Sequence, residues 1–578
     1  MYGISRPNGS MRRAIAAAAA LFLGPACAGP SDPLEQARQA LDDGDADRAY
    51  AALDAFLSTG NDSAEAFGLM ARACLRTMRT LRGAAAAARA AALGATDPAF
   101  HRARACLEQR RFDNLAAIAS AEEAVRLAPD DARNHALLGT LFLGGGRIGT
   151  AEHEPSERAF RRALELDPAL PVARFGLART LVEAGDPHEA IARLDELLAD
   201  GFAAADVHYL RGFARGRARD FAGAEEDYRR ALAISPMHSA ALFNLARALR
   251  MVGRNDDATS VQDQYAQALE RERALEAAVF AWHTQPDAVA AALDCASLWP
   301  SAGHVDDAIR LLDTVCLDHP ELAGAHLLRA RLAAEIHDDE RATESLERAL
   351  QLAPDEPATR AVAARIEFDR EQYVAALAHA EAALVRSPDD LESALVRAHS
   401  LIELGRAAEA AALLEPLAQR VPGPRVLAVY ARALLDAGLP DRAEAVASAA
   451  LARRVTAAAL TVRGRARAAQ SRFGLAKEDL QGASELEPLD PEAYEGMERV
   501  LEATGEIDAV SAWRDRADAA RARGEELARL RRDLGAAPFD ARAGEALAEA
   551  LVAAGLTAEA ALVVHRIRTP ELDPCRAW

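Results

Sequence analysis

A chain of 578 residues has room for several globular domains, yet aromatics make up only 5% of it while apolar residues reach 51%. That balance suits close helix packing and argues against a β-rich core. A formal charge of −20 argues against nucleic acid as a partner, because affinity for a phosphate backbone rests on a basic surface.

The chain begins with the order of an export signal. Arg12 and Arg13 precede an apolar run from Ala14 to Gly24, too short for the roughly 20 residues of a membrane span, and small residues follow. Two processing routes stay open: cleavage after Ala28, or acylation of Cys27 as the first mature residue. Leu23-Gly24-Pro25-Ala26-Cys27 is similar to a lipobox, with its leucine one place too far from the cysteine. Residues 1–28 are therefore expected to be a signal peptide, and the mature protein to be exported, either periplasmic or lipid-anchored to an envelope membrane. A lipid anchor is the sole expected tie to a membrane.

Residues 29–130 have a helical pattern with loose spacing. Asp43, Asp45, Asp47 and Asp54 copy part of a calcium loop, but Arg48 stands where the sharp turn needs glycine, so helix capping is the better account. Gly144-Gly145-Gly146-Arg147-Ile148-Gly149-Thr150 is glycine-rich like a phosphate loop, yet it follows a helical segment and lacks the lysine. A lengthened turn is expected there. His188-Glu189 starts an HExxH pattern that Ala192 breaks. The six cysteines, Cys27, Cys74, Cys106, Cys295, Cys316 and Cys575, form no CxxC pair. Cys74, Cys106, Cys295 and Cys316 fall on apolar helix faces and are expected to be small buried hydrophobes, without a Cys295–Cys316 disulfide. No metal, cofactor or catalytic residue is expected.

One phrase keeps returning: AVRLAPDD (124–131), ALELDPAL (163–170), ALAISPMH (231–238), ALQLAPDE (349–356) and ALVRSPDD (383–390). Pro286, Pro320, Pro354, Pro388 and Pro422 stand 34 residues apart, as do Pro168, Phe202 and Pro236. Within a period, Leu177, Ala178 and Leu181 line one face of a first helix, Gly185 ends it, and Ala190 and Leu194 begin the inner face of a second. The arrangement recurs as Leu245, Ala246, Leu249, Gly253 and Ala258, and as Gly212, Ala224, Tyr228, Ala231 and Pro236. With two helices per 34 residues, the sequence from about 33 to 572 resembles a tetratricopeptide repeat protein. It departs from the family in its scarce aromatics.

The resemblance implies an all-α, superhelical α-solenoid of helix-turn-helix repeats with a long concave surface. Blocks are expected at 131–270 and 287–522, joined by an elongated helix at 271–286. A second elongated helix is expected at 523–537, and a capping repeat with a tail at 538–578. The implied function is a noncatalytic scaffold for protein or peptide partners, acidic segments among them. An accessory subunit of an envelope enzyme complex, in polysaccharide synthesis, secretion or peptidoglycan processing, is the alternative. In this family the residue after the first helix's small position generally looks into the groove, which implies a ladder of Arg179, Arg247, Arg331, Arg365, Arg432, Arg465 and Arg499. Glu183, Glu335, Asp369 and Asp436 stand one turn beyond Arg179, Arg331, Arg365 and Arg432 and can neutralise them. Arg247, Arg465 and Arg499 lack such an acid and are the stronger ligand candidates.

Overall fold

The computed structural model describes residues 32–144, 153–285, 288–302, 304–536 and 540–577. The export segment with Cys27, and the glycine-rich loop beyond Gly144, lie outside the described residues.

Helices come in pairs, with no strand among the described residues. The first pairs are α1 (Pro33–Asp42) with α2 (Ala46–Ser58), α3 (Ala64–Arg76) with α4 (Thr80–Ala92), and α5 (Pro98–Arg110) with α6 (Asn114–Leu127). Then come α7 (Ala132–Phe142) with α8 (His153–Leu166), α9 (Pro171–Ala184) with α10 (Pro187–Ala199), α11 (Ala205–Arg217) with α12 (Phe221–Ile234), and α13 (Ser239–Met251) with α14 (Asn255–Thr284). The series continues as α15 (Val289–Leu298) with α16 (Val305–Asp318), α17 (Ala323–Glu335) with α18 (Asp339–Leu352), α19 (Pro357–Asp369) with α20 (Tyr373–Arg386), and α21 (Leu391–Glu403) with α22 (Ala407–Arg420). It closes with α23 (Pro424–Asp436) and α24 (Pro440–Leu451), α25 (Ala457–Ala469) and α26 (Phe473–Leu486), α27 (Pro491–Thr504) and α28 (Ile507–Ala536), α29 (Ala541–Ala553) and α30 (Thr557–Arg568), and the short α31 (Pro574–Ala577). The protein is an all-α solenoid. It divides into two compact units, residues 1–295 with 569–578, and residues 296–568. The boundary falls within α15, beyond the first long helix, and the final segment belongs to the first unit, neither of which the 34-residue spacing reveals.

The recurring phrase is a stop followed by a start. In AVRLAPDD, α6 ends at Leu127, the Ala128 N–H closes on the Ala124 carbonyl, and Pro129 cannot extend the ladder. The Asp131 carboxylate then accepts from the Arg133 amide at 3.1 Å and opens α7. Asp390 does the same for α21, accepting from the Ser393 amide at 3.0 Å. Each such cap stabilises by about 1 kcal/mol. Asp45 is also a cap, of α2, accepting from the Arg48 amide at 2.9 Å. Between the helices of a pair one residue must be left-handed. Glycine supplies it at Gly44, Gly405 and Gly438, but Phe112, Arg219, Glu371 and Ser471 adopt φ of 61–65° at the same place, a cost of about 1–2 kcal/mol that the packed helices on either side hold in check.

Each long helix turns back on early repeats of its own unit. In the first unit α14 packs on α4, where the buried His283 Nδ1 meets the Thr80 hydroxyl at 2.9 Å and Phe280 lies 5.2 Å from Phe112, ring centre to ring centre. Burial, with Arg110 nearby, pushes His283 down to about 3, so its ring is neutral. In the second unit α28 packs on α18, and a β-carbon on Gly535 would lie 2.4 Å from the His337 carbonyl oxygen, so only glycine lets the two backbones meet. Arg566 of α30 clamps Asp306 of α16 through two contacts of 2.7 Å.

Inside the pairs a buried ion triad recurs. The Asp227 side chain is fully buried; Arg211 donates to it at 2.6 and 2.9 Å and Arg215 at 2.8 Å. In the second unit Arg463 and Arg467 hold Asp479 with the same three distances. Burial by itself raises the Asp227 carboxyl, but His208, whose Nδ1 stands 3.8 Å away, and the guanidinium groups of Arg211 and Arg215 outweigh it and hold the carboxyl below its ordinary value. A carboxyl depressed on folding stabilises the protein above the unfolded value of ~3.9, and that stabilisation is lost as pH falls through the folded value. Asp227→Ala should therefore cost about 3 kcal/mol at neutral pH, because Arg211 stays buried with less compensating charge. The deficit should shrink in acid, which chemical melts of parent and variant at neutral pH and near pH 3 will measure.

Candidate binding groove

First helices of neighbouring pairs pack directly on one another along each unit, α3 on α5, α5 on α7, α7 on α9 and α9 on α11 in the first, α19 on α21, α21 on α23 and α23 on α25 in the second. Second helices pack chiefly on the first helices beside them. The first helices therefore line the inner, concave side of each unit. In each first helix a buried small residue sits against its second helix: Ala71, Ala105, Gly139, Ala178, Gly212 and Ala246 in the first unit, and Ala330, Ala364, Ala398, Ala431 and Gly464 in the second. The residue after it forms the ladder.

That register carries more than arginine. It reads Arg72, Cys106, Thr140, Arg179, Phe213 and Arg247 in the first unit, and Arg331, Arg365, His399, Arg432 and Arg465 in the second, with Arg499 following Glu498. A search for arginine alone misses Cys106, Phe213 and His399, although the constant offset from the small residue finds them. Around Phe213 the groove is aromatic. Tyr209 stacks on Phe213 with ring centres 6.1 Å apart and lies 4.8 Å from His238, while burial, with Asp206 nearby, pushes its hydroxyl up to about 12. His399 contacts Phe368 at 5.7 Å, and burial followed by the charges of Arg432, Arg425 and Arg365 pushes it down to about 4.

The predicted arginines meet different fates. Arg179 pairs with Glu183 at 3.2 Å and Arg365 with Asp369 at 2.9 Å, each one turn on. The Glu183 side chain is only 3% exposed, and one of its oxygens and one Arg179 nitrogen are buried without a hydrogen bond. Arg331 is exposed and makes no ion pair with Glu335 or any other acid among the described residues. Arg247 is likewise exposed and unpaired. Arg465 has no acid one turn on, but it reaches Glu492 at 3.0 Å and Asp436 at 3.4 Å on neighbouring first helices. Arg432 joins the same network through Glu403 at 2.9 Å, Glu492 at 3.3 Å and Asp436 at 3.8 Å. Arg499 stands 3.8 Å from Glu495, one turn back, and is largely exposed. Three carboxylates thus face two guanidinium groups in the middle of the second groove, and the local charge is negative.

A second concavity lies where α28 and the last repeat meet α16 and α17. This cavity of ≈ 390 Å³ is lined by Val305, Ile336, Leu534, Leu547 and Leu551, with Arg531 and Glu559 among its polar residues. Among the described residues no group of three His, Cys, Asp or Glu side chains is placed to hold a metal ion, and no helix is long and apolar enough to cross a membrane.

Two models of the tetratricopeptide repeat match the sequence, one over residues 157–212 and 367–432, the other over 209–271 and 301–357. The chain contains tetratricopeptide repeats. Arrays of this repeat are interaction scaffolds for other proteins. Among solved structures, the chain is similar to the APC/C hetero-tetramer Cut9-Hcn1, at 12% identity over 82% of this chain and 96% of that one, TM-score 0.33. It is also similar to a tetratricopeptide repeat protein from Parabacteroides merdae ATCC 43184, at 15% identity over 51% and 98%, TM-score 0.29. YrrB, described as a TPR protein with an unusual peptide-binding site, aligns at 19% identity over 33% and 95%, TM-score 0.28. A search of curated proteins finds no match.

The cysteines need one correction. Cys74, Cys295 and Cys316 are buried and outside any disulfide among the described residues, but Cys106 is bonded to Cys575. The apolar helix face that reads as a site for a small hydrophobe in fact meets the returning end of the chain. As for the tetratricopeptide groove, Glu492→Gln removes the acid shared by Arg432 and Arg465. Because these groups are partly exposed, the cost should be about 1 kcal/mol, and adding Arg432→Ser should recover part of it. Thermal melts of the single and double variants read this out.

Proposed function

We propose that the protein is a noncatalytic scaffold that holds extended segments of partner proteins against the inner faces of its two units. The observation that carries this reading is the ladder: one register, repeated along consecutive first helices, presents aligned polar and aromatic side chains to the groove. Arginine recognises carboxylates with paired donors, so the exposed and unpaired Arg247 and Arg331 are the contacts offered to acidic segments. Arg179, Arg432 and Arg465 instead spend their donors on acids of the chain and fix the shape of the groove. An array of short acidic peptides, followed by calorimetric titration of the best binder, tests this. Replacing Arg247 and Arg331 with serine should weaken binding by about 1.5–3 kcal/mol for each charged hydrogen bond lost, and added salt should weaken it further. No binder in the array, or a Kd indifferent to both changes, removes the acidic-segment reading.

We infer further that the mature chain works outside the cytoplasm. The order of residues 12–28 supports export, and the Cys106–Cys575 disulfide independently fits an oxidising compartment. Intact mass measurement on protein from its native host should find a chain beginning at Cys27, with or without acyl groups, or at Gly29. A chain that still carries Met1 or Met11 would sink the idea.

A further inference from the structure

The chain's final segment belongs to the first unit without being one of its repeats. Thr569–Leu572 is a single 3-10 turn packed on α9, and Pro574–Ala577 is a short helix packed on α7. Leu572 is 9% exposed and sits in the apolar cluster that holds Leu177, Ala178 and Leu181. Cys575 is bonded to Cys106 of α5 with Cα atoms 5.6 Å apart, and its Sγ lies 3.3 Å from the Gln109 side-chain oxygen. The helices α9, α7 and α5 are three consecutive first helices, and Cys106 is itself the ladder residue of α5, in register with Arg179 of α9. The segment therefore crosses the concave side from one first helix to the next, against chain order, where a bound peptide would lie.

We propose that Thr569–Cys575 is an intramolecular ligand of the first unit's groove. The groove's partner in trans is then a segment of the same chemistry: a leucine anchor flanked by carboxylates and prolines, as in Thr569-Pro570-Glu571-Leu572-Asp573-Pro574-Cys575. This deepens the scaffold reading and rests on it. The disulfide makes occupation conditional on redox state. Cys106 is 3% exposed and Cys575 half-buried, so a dithiol reductant attacks the Cys575 sulfur. A bond forms between the reductant's sulfur and Cys575 Sγ, and Cys106 leaves as a thiolate and takes a proton. The reductant's second thiol then displaces Cys575. Two electrons and two protons pass to the protein, which ends with two thiols, while the dithiol ends as a disulfide.

The probe is a fluorescent peptide of residues 569–578 carrying Cys575→Ser, and the readout is its anisotropy. Peptide mapping without reductant first identifies the Cys106–Cys575 link; free thiols at both positions in oxidised protein overturn the lock. A chain ending at Arg568 should bind the peptide at least tenfold more tightly than the oxidised full-length protein, and a Leu572→Asp peptide should not bind. Truncation uncovers part of the apolar cluster, so full-length Cys575→Ser serves as the second reagent. It keeps the other contacts of the tail, and the free peptide should compete with the tail and bind at raised concentration. If a folded truncated chain and Cys575→Ser both fail to bind, or if the oxidised parent binds equally well, the tail is no ligand. The acidic-peptide array tests the scaffold reading separately, since Arg247 on α13 and Arg331 on α17 stand apart in sequence from α5, α7 and α9, the helices that hold the tail.

Discussion

A pair of short helices such as α11, of 13 residues, and α12, of 14, cannot bury its apolar surface alone, and every other feature of the molecule answers to that constraint. Alanines such as Ala178, Ala364 and Ala431, fully buried, let first helices approach their second helices closely. Leu177, Leu194 and Phe160 fill the grooves beside them. Burial then depends on neighbours, and an array of this kind has a weak point at each end. Here the ends are drawn back. The two 30-residue helices α14 and α28 return to α4 and α18, meeting them through a neutral buried histidine on a threonine hydroxyl in one, and in the other through backbone against a glycine where a β-carbon would not fit. Grooves built on units closed in this way are held rigid before any partner arrives, which reduces the ordering cost of binding.

The same closeness decides the electrostatics of the groove. In an open solenoid a ladder of arginines would sum to a basic stripe. In the second unit the inner faces instead stand near enough that Arg432 and Arg465 share Glu492, with Glu403 and Asp436 completing the set. At effective dielectric constants near 20, neighbouring opposite charges some 4 Å apart attract by about 4 kcal/mol before desolvation, which is enough to favour internal partners over dilute ligands. An acidic segment gains little there. Where the ladder is free of internal acids, at Arg247 in the first unit and Arg331 in the second, the donors remain available, and on α11 of the first unit the groove offers aromatic rings at Tyr209 and Phe213. Recognition by such a surface combines a few cationic contacts with apolar burial.

The spacing of prolines was enough to read the repeat and its caps, because these are local: a stop at Leu127, a start at Asp131. Pairs one turn apart, such as Arg365 with Asp369, were legible for the same reason. What the sequence hid are contacts whose partners lie in a different repeat. Arg465 meets Glu492 across 27 residues and Cys106 meets Cys575 across 469. Such meetings depend on superhelical pitch, and a 34-residue period leaves pitch unspecified. The Asp227 triad is an intermediate case. Its partners recur at the same separations around Asp479, so comparing repeats position by position exposes it, whereas a search for charged pairs along one helix does not.

A tethered ligand also changes what a partner must achieve. A segment on the same chain faces its groove at an effective concentration of the order of millimolar for short flexible tethers, so a free peptide at micromolar concentration loses to it even with equal contacts. Without a covalent bond, the groove would still exchange, and partner binding would only be weakened. The bond between Cys575 and a ladder position changes the kind of control, since a disulfide does not dissociate on the time scale of peptide exchange. Affinity for a partner is then set by two separable factors: the fraction of molecules whose disulfide is open, and the competition between tail and partner within that fraction. Leu572 acts on the second factor alone, through its place in the apolar cluster of α9, whereas Cys106 acts on the first. The scaffold thus carries its competitor for the groove at its own C-terminus and leaves the decision to the thiol chemistry of its surroundings.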